Sequence, residues 1–207
     1  MIYLIGLTGN IATGKSLVVR MLSDLGAHVI DADALVHELQ RKGTSVWAGI
    51  VGKFGEEILR ADGEIDRAKL GALVFSDSRA LRQLEAIVHP AVGLEIERQI
   101  SNRQSPISKV VVIEAIKLIE AGLHERCNAL WVVTSLPEVQ LERLIRTRGL
   151  SEADAHARIA AQPPQTEKAT LADVLIENNG TVDELRKQVV HHWKHKAATS
   201  LRGASQL

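Results

Sequence analysis

Gly9, Gly14, Lys15 and Ser16 stand at the spacing G-x-x-x-x-G-K-S within Gly9-Asn10-Ile11-Ala12-Thr13-Gly14-Lys15-Ser16. Residues of these types at this spacing bind a polyphosphate. The glycines let successive backbone N–H groups curl around the anion, and the first turn of a following helix adds unpaired donors and a partial positive charge. Lys15 is expected to reach the β and γ phosphates, and the Ser16 hydroxyl to ligate magnesium. The pattern speaks for a nucleoside triphosphate and is silent on the acceptor: kinase, GTPase and motor ATPase all satisfy it.

Other residues stand where that chemistry needs partners. Asp31-Ala32-Asp33 follows the apolar run Ala27-His28-Val29-Ile30. Two carboxylates two residues apart at a strand's end can project to the same side, and one of them beside a phosphate acceptor can take the proton of an attacking hydroxyl. Either Asp also suits the N-cap of a helix opening near Ala34, and one Asp can serve both ends. Glu114 follows Val110-Val111-Val112-Ile113, where a phosphate-loop protein takes its second magnesium contact, usually through water. Glu120, six residues on, reads as a surface residue. Arg143, Arg146, Arg148 and Arg158 lie on two helical stretches joined at Gly149, the second starting at Ser151 and ending at Gln162-Pro163-Pro164. Such a pair has the form of a lid whose arginines neutralise the transferring phosphoryl group and expel water on closure. The plainer reading is a solvated hairpin with its arginines paired to Glu142, Glu152 and Asp154. His89 beside Pro90 is a candidate acceptor contact, against the alternative of a histidine satisfied by nearby backbone. The turn Asn178-Asn179-Gly180 offers backbone to an adenine edge.

These residues must be placed by regular elements. Apolar runs at 2–7, 27–30, 109–113 and 129–134, and a weaker one at 173–176, are each followed by a stretch of helical period. Runs rich in Val and Ile without in–out alternation mark a parallel sheet buried on both faces. The fold class is therefore α/β: a phosphate-loop NTPase core with a five-stranded parallel sheet between helices, its ligands beyond the carboxyl ends of the strands. From Ala34 to about Asn102 the rhythm changes to helices at 34–42, 45–54 and 67–75, separated by Gly43, Gly55 and Ala61-Asp62-Gly63-Glu64. A longer helix follows with Leu81, Leu84, Val88, Val92, Ile96 and Ile100 on one face; Pro90 should bend or restart it near His89. Asp66-Arg67 and Lys69 read as a capped helix start with exposed charge. The expected organisation is a discontinuous core (1–33, 106–136 and 172–196), a helical acceptor region (34–105), a lid (137–171) and a flexible tail (197–207).

The 25 basic residues are matched by 25 acidic ones, so no basic excess argues for a nucleic-acid partner. A single cysteine, Cys127, excludes an intrachain disulfide and a cysteine metal cluster, and it reads as a small buried residue. His191, His192 and His195 read as surface residues near the end of a terminal helix. No run approaches the roughly 18 apolar residues of a membrane span. The expectation is a cytoplasmic protein, a monomer or weak homo-oligomer, acting on small molecules.

Taken together, the residues resemble the dephospho-CoA kinase family. The resemblance runs from about residue 2 to 190. It rests on Ile5-Gly6-Leu7-Thr8-Gly9 leading into Gly14-Lys15-Ser16, on Val29-Ile30-Asp31-Ala32-Asp33, and on Ile65-Asp66-Arg67 with Lys69-Leu70-Gly71. It rests further on Leu84-Glu85-Ala86-Ile87-Val88-His89-Pro90, Arg158-Ile159-Ala160-Ala161-Gln162, and Ala172-Asp173 through Ile176 to Asn178-Asn179-Gly180. It implies magnesium-dependent transfer of the ATP γ-phosphoryl group to the ribose 3′-hydroxyl of dephospho-CoA, on a phosphate-loop core with a helical acceptor domain and lid. By the same resemblance Asp33 is the general base, Lys15 contacts phosphate and Arg143 is the lid arginine. The loop from Gly9 through Leu17 (Gly9, Asn10, Ile11, Ala12, Thr13, Gly14, Lys15, Ser16, Leu17), with Asn179 and Gly180, binds ATP. Ser16 and Glu114 serve Mg2+, and Thr8, Asp33, Arg67 and His89 belong to the acceptor.

The chain departs from the family pattern in three places. The family often has Gly at the position of Ala12. After the third strand an Asp followed by Pro-Leu-Leu is usual, whereas here Glu114-Ala115-Ile116-Lys117-Leu118 stands. The lid's usual second arginine, four residues after the position of Arg143, is Thr147. Two other readings are carried forward: a small-molecule kinase of the nucleotide or shikimate type, and a nucleotide sensor that binds ATP without turnover.

Overall fold

The computed structural model describes residues 2–102 and 109–197, with side chains up to His195. The tail expected at 197–207 therefore lies outside the described residues, apart from the backbone of Ala197. In chain order the elements are β1 (Tyr3–Thr8), α1 (Lys15–Asp24), β2 (His28–Asp31), α2 (Ala32–Leu39), α3 (Ser45–Phe54), α4 (Arg67–Ser76) and α5 (Ser78–Ser101). They continue as β3 (Val110–Glu114), β4 (Ala129–Thr134), α6 (Pro137–Arg148), α7 (Glu152–Ala160), α8 (Gln165–Ala169), β5 (Val174–Glu177) and α9 (Val182–His192). The chain divides into two compact units, Met1–Ile30 with Gln104–Leu207, and Asp31–Arg103.

The first unit is built on a five-stranded parallel sheet in the order β2-β3-β1-β4-β5. β1 lies between β3 and β4, with Leu7 paired to Glu114 and Thr8 to Val132. The strands' side chains point alternately to the two faces, and both faces are covered. On one, Ile5, Leu7, Val110, Val112, Trp131, Val133 and Ile176 pack with Val18 and Leu22 of α1 and Leu185 and Val189 of α9. On the other, Val111, Ile113, Leu130 and Val132 are equally buried. That two-sided burial is why the three inner runs, β3, β1 and β4, read as continuous apolar stretches. β5 is an edge strand whose residues alternate buried and exposed, and its sequence signal is correspondingly weaker.

The second unit is helical. Side chains close the exposed amides at its helix starts: Asp31 accepts from Ala34 N–H at the head of α2, Thr44 from Trp47, Asp66 from Ala68 and Lys69, and Asp77 from Arg79. The buried faces of α3 (Val46, Ile50, Phe54), α4 (Leu70, Val74) and α5 (Val88, Val92, Ile96) supply its core, and the Ala61–Glu64 turn is closed by a bridge between Leu59 and Ile65. Of the two outcomes expected at Pro90, a bend or a restart, the restart does not occur: α5 runs from Ser78 to Ser101 through it. Proline removes one helical hydrogen bond, costing about 3 kcal/mol in an interior position. Burial of Val88, Val92 and Ile96 on the same stripe holds the helix in place across it.

Candidate active site

Between β1 and α1 the loop closes on itself, and glycine is required at both of its ends. A Cβ on Gly9 would stand 2.5 Å from the Val133 carbonyl oxygen, and Gly14 has φ +89° with the Asn178 amide where a side chain would go. Ala12 is also left-handed, at φ 60°, which costs an alanine about 1–2 kcal/mol. The family's frequent glycine at this position would relieve that strain.

The loop turns its carbonyls toward side-chain donors. Asn10 O accepts from the Thr13 hydroxyl (2.9 Å), Ile11 O from the Gln140 amide, and Ala12 O from Arg143 (3.2 Å). Thr13 O accepts from Asn178 Nδ2 (2.8 Å), Arg143 (3.3 Å) and Ser135 Oγ (3.3 Å). The residue ahead of α1, Gly14, offers no side-chain cap, and the first turn of the helix carries no acid. The positive end of α1, with the amides of Lys15 and Ser16, is thereby left for an anion. Leu17 follows inside the helix, where its N–H bonds Gly14 O (2.9 Å).

The β1–β3 register puts Glu114 beside Leu7, immediately before the loop, and Lys15 donates to its carboxylate. Both side chains are nearly buried, at 13% and 12% exposure, so each charge compensates the other. Thr8 donates to Ile116 O (3.1 Å), an acceptor shared with the buried Lys168 ammonium (2.6 Å). Glu120, read from the sequence as a surface residue, is half-exposed and pairs with Lys168 at 3.3 Å. Among the described residues no three His, Cys, Asp or Glu side chains gather into a metal cluster. Mg2+ usually keeps water and substrate phosphates and takes one or two protein groups, so a hydroxyl and a carboxylate, Ser16 and Glu114, suit it.

Arg143 reaches the phosphate loop from α6. Its guanidinium lies against the loop's backbone, bonding Ala12 O, Thr13 O, Ser135 Oγ (2.9 Å) and Asn178 O (2.9 Å). Burial holds its pKa below the ordinary arginine value, with Glu142 pulling the other way; it stays charged. Arg146 pairs with Glu142 on the surface (3.2 Å), and Arg148 and Arg158 are exposed. Thr147 returns its hydroxyl to Arg143 O. The Asn179 side-chain oxygen accepts from Leu136 N–H (2.7 Å) at the entrance to α6.

In the helical unit the two aspartates separate. Asp31 is the cap of α2, and Asp33 sits one residue into its first turn. Asp66 caps α4, so Arg67 opens that helix; burial and the neighbouring Arg60 hold its pKa below the usual value. His89 is half-buried on α5 one residue before Pro90. The sequence reading did not single out Ser135, Gln140, Gln162, Gln165 or Lys168. Only Gln162 left a trace, as the last residue of one matched motif.

The dephospho-CoA kinase family's sequence model matches residues 3–184. The chain belongs to the dephospho-CoA kinase family. A dephospho-CoA kinase of Symbiobacterium thermophilum is 48% identical over 191 residues, 92% of this chain and 80% of that protein. The structure of a dephospho-CoA kinase from Campylobacter jejuni superposes with a TM-score of 0.67 at 26% identity, covering 96% of this chain and all of that one. The Thermus thermophilus protein TT1252 gives a TM-score of 0.79 at 31% identity, over 94% of this chain and 98% of that one. Of the readings left open by the sequence, membership of a dephospho-CoA kinase family selects a phosphotransferase of this type.

Proposed function

We propose that this protein transfers the γ-phosphoryl group of ATP to the ribose 3′-hydroxyl of dephospho-CoA, giving coenzyme A and ADP. The observation that carries the reading is the loop itself: its carbonyls are engaged by side-chain donors behind it, and the N-terminus of α1, with no side-chain cap and no acid in its first turn, suits a polyphosphate. Lys15 turns from Glu114 to the β and γ phosphates when they arrive. Gly9 through Leu17 hold the triphosphate, with the backbone of Asn179 and Gly180 on the adenine. Ser16 and Glu114 would hold Mg2+, which neutralises charge on the phosphate oxygens. Asp33 takes the proton of the 3′-hydroxyl as its oxygen bonds phosphorus and the β,γ-bridging P–O bond breaks. Thr8, Arg67 and His89 serve the acceptor. We assign the reaction to the cytoplasm, with small molecules as its only required partners and a monomer or weak homo-oligomer as the working form.

The test is mass-spectrometric detection of coenzyme A from dephospho-CoA, ATP and Mg2+, beside a panel of shikimate and nucleoside monophosphates. Dephospho-CoA is expected to be the sole efficient acceptor, and Lys15→Ala to abolish product. Turnover of another acceptor at equal or higher kcat/KM would replace this reading.

A further inference from the structure

Ile11 is held on both of its backbone groups by glutamines that arrive from far along the chain. Its N–H donates to Gln162 Oε1 at 2.7 Å, and its C=O accepts from Gln140 Nε2. Gln140 is 1% exposed and is itself aimed: its Oε1 accepts from Gln165 Nε2 at 2.9 Å. Gln165 in turn is fixed on the Ser135 backbone, donating to its C=O (2.8 Å) and accepting from its N–H (3.1 Å). A further tie lies beside Gln162, where Asn10 Nδ2 donates to Pro163 O at 2.8 Å.

The two peptide planes that flank Ile11 are thus both fixed from outside the loop. Together they fix Ile11 and so orient the plane of Ile11 C=O and Ala12 N–H, one of the two planes between which φ of Ala12 is defined, and Ala12 is the residue the loop holds at φ 60°. A free alanine would leave that region. The chain carries alanine there, so something other than its own preference has to keep the left-handed turn. We propose that Gln140 and Gln162 are positioning residues for the phosphate loop, clamping Ile11 so that Ala12 stays left-handed and the amides after it stay aimed at phosphate before nucleotide arrives. They touch no reacting atom; they act through the loop backbone. The proposal rests on the nucleotide-binding reading given above.

The experiment measures ADP and ATP affinity by calorimetry, and steady-state kinetics with dephospho-CoA, for the wild type, Gln162→Met, Gln140→Met, Ala12→Gly and the combinations. Gln162→Met, at a half-exposed position, should raise Kd and KM for nucleotide about tenfold, the size of one lost hydrogen bond to a half-buried backbone N–H, with kcat changed far less. In the Ala12→Gly background the same substitution should cost about threefold or less, because glycine needs no clamp to hold φ positive. A packing role alone would give the same loss in both backgrounds, and that additivity would overturn the clamp. So would a Gln162→Met protein that binds ADP as the wild type does. Should Gln140→Met fail to fold, the Gln162→Met cycle decides alone. Failure of the unaltered chain to bind either nucleotide would overturn the phosphotransfer reading and this proposal with it.

Discussion

Asp31 and Asp33 are chemically alike and two residues apart, and the backbone assigns them different work. The first amides of α2 need an acceptor, and Asp31 supplies it at 2.8 Å, while Asp33 stands inside the first turn. Asp33→Asn should lower kcat by about two orders of magnitude or more while ADP affinity is unchanged. Asp31→Ala should instead leave chemistry in place and cost ~1 kcal/mol of stability, a fall in Tm of about 2–4 °C, read by thermal melting. Cys127 is a free, half-buried cysteine. Burial pushes its thiol up to about 11, so the neutral form prevails through the ordinary thiol range. At about pH 9 its alkylation should be at least roughly fifty-fold slower in the native protein than in denaturant.

The caps and stripes decide how well each helix holds its end of the site. Thr181 and Glu184 form a reciprocal capping box at the head of α9, which packs its Leu185 and Val189 against the sheet. Hydrogen bonds from the Thr181 backbone N–H and then its hydroxyl lower the Glu184 pKa. A carboxyl group depressed on folding contributes stability above its unfolded pKa and loses it as pH falls through the folded value. Native stability should therefore drop more steeply on acidification in the wild type than in Glu184→Gln, as followed by denaturant melts across the acid range. On α5, Pro90 sits in the interior of a helix that packing already maintains. Pro90→Ala should raise stability by about 1–3 kcal/mol, measured by urea titration; a loss of acceptor affinity alongside it would show what the proline is kept for.

At the scale of the molecule, the loop and its supporting shell lie in the sheet-bearing unit, while Asp33, Arg67 and His89 lie in the helical one. Nucleotide binding should stabilise the chain without any acceptor. At about 100 times its Kd, ADP should add about 2.7 kcal/mol, seen as a thermal shift that Lys15→Ala removes. Among the described residues no helix is long and apolar enough to cross a membrane. His192, read from the sequence as a surface group, packs its ring edge-on against the buried Trp131 at 6.1 Å. His191 and His195 remain exposed.

The sequence by itself determined the α/β class, the β-strands to within a residue or two and the phosphate loop, because apolar runs, glycine spacing and a strand-to-helix context are local signals. The break between α6 and α7 was readable for the same reason, through Gly149 and Ser151. It could not decide which aspartate caps α2, whether α5 survives Pro90, or where Arg143 points. Those depend on which groups lie within reach once the chain is folded. The Gln140 and Gln162 contacts join residues 129 and 151 positions apart, and a neutral amide leaves neither charge nor period in a sequence. Only the tertiary structure could show them, because a hydrogen bond is made by distance and direction in space, and residue type alone does not specify either.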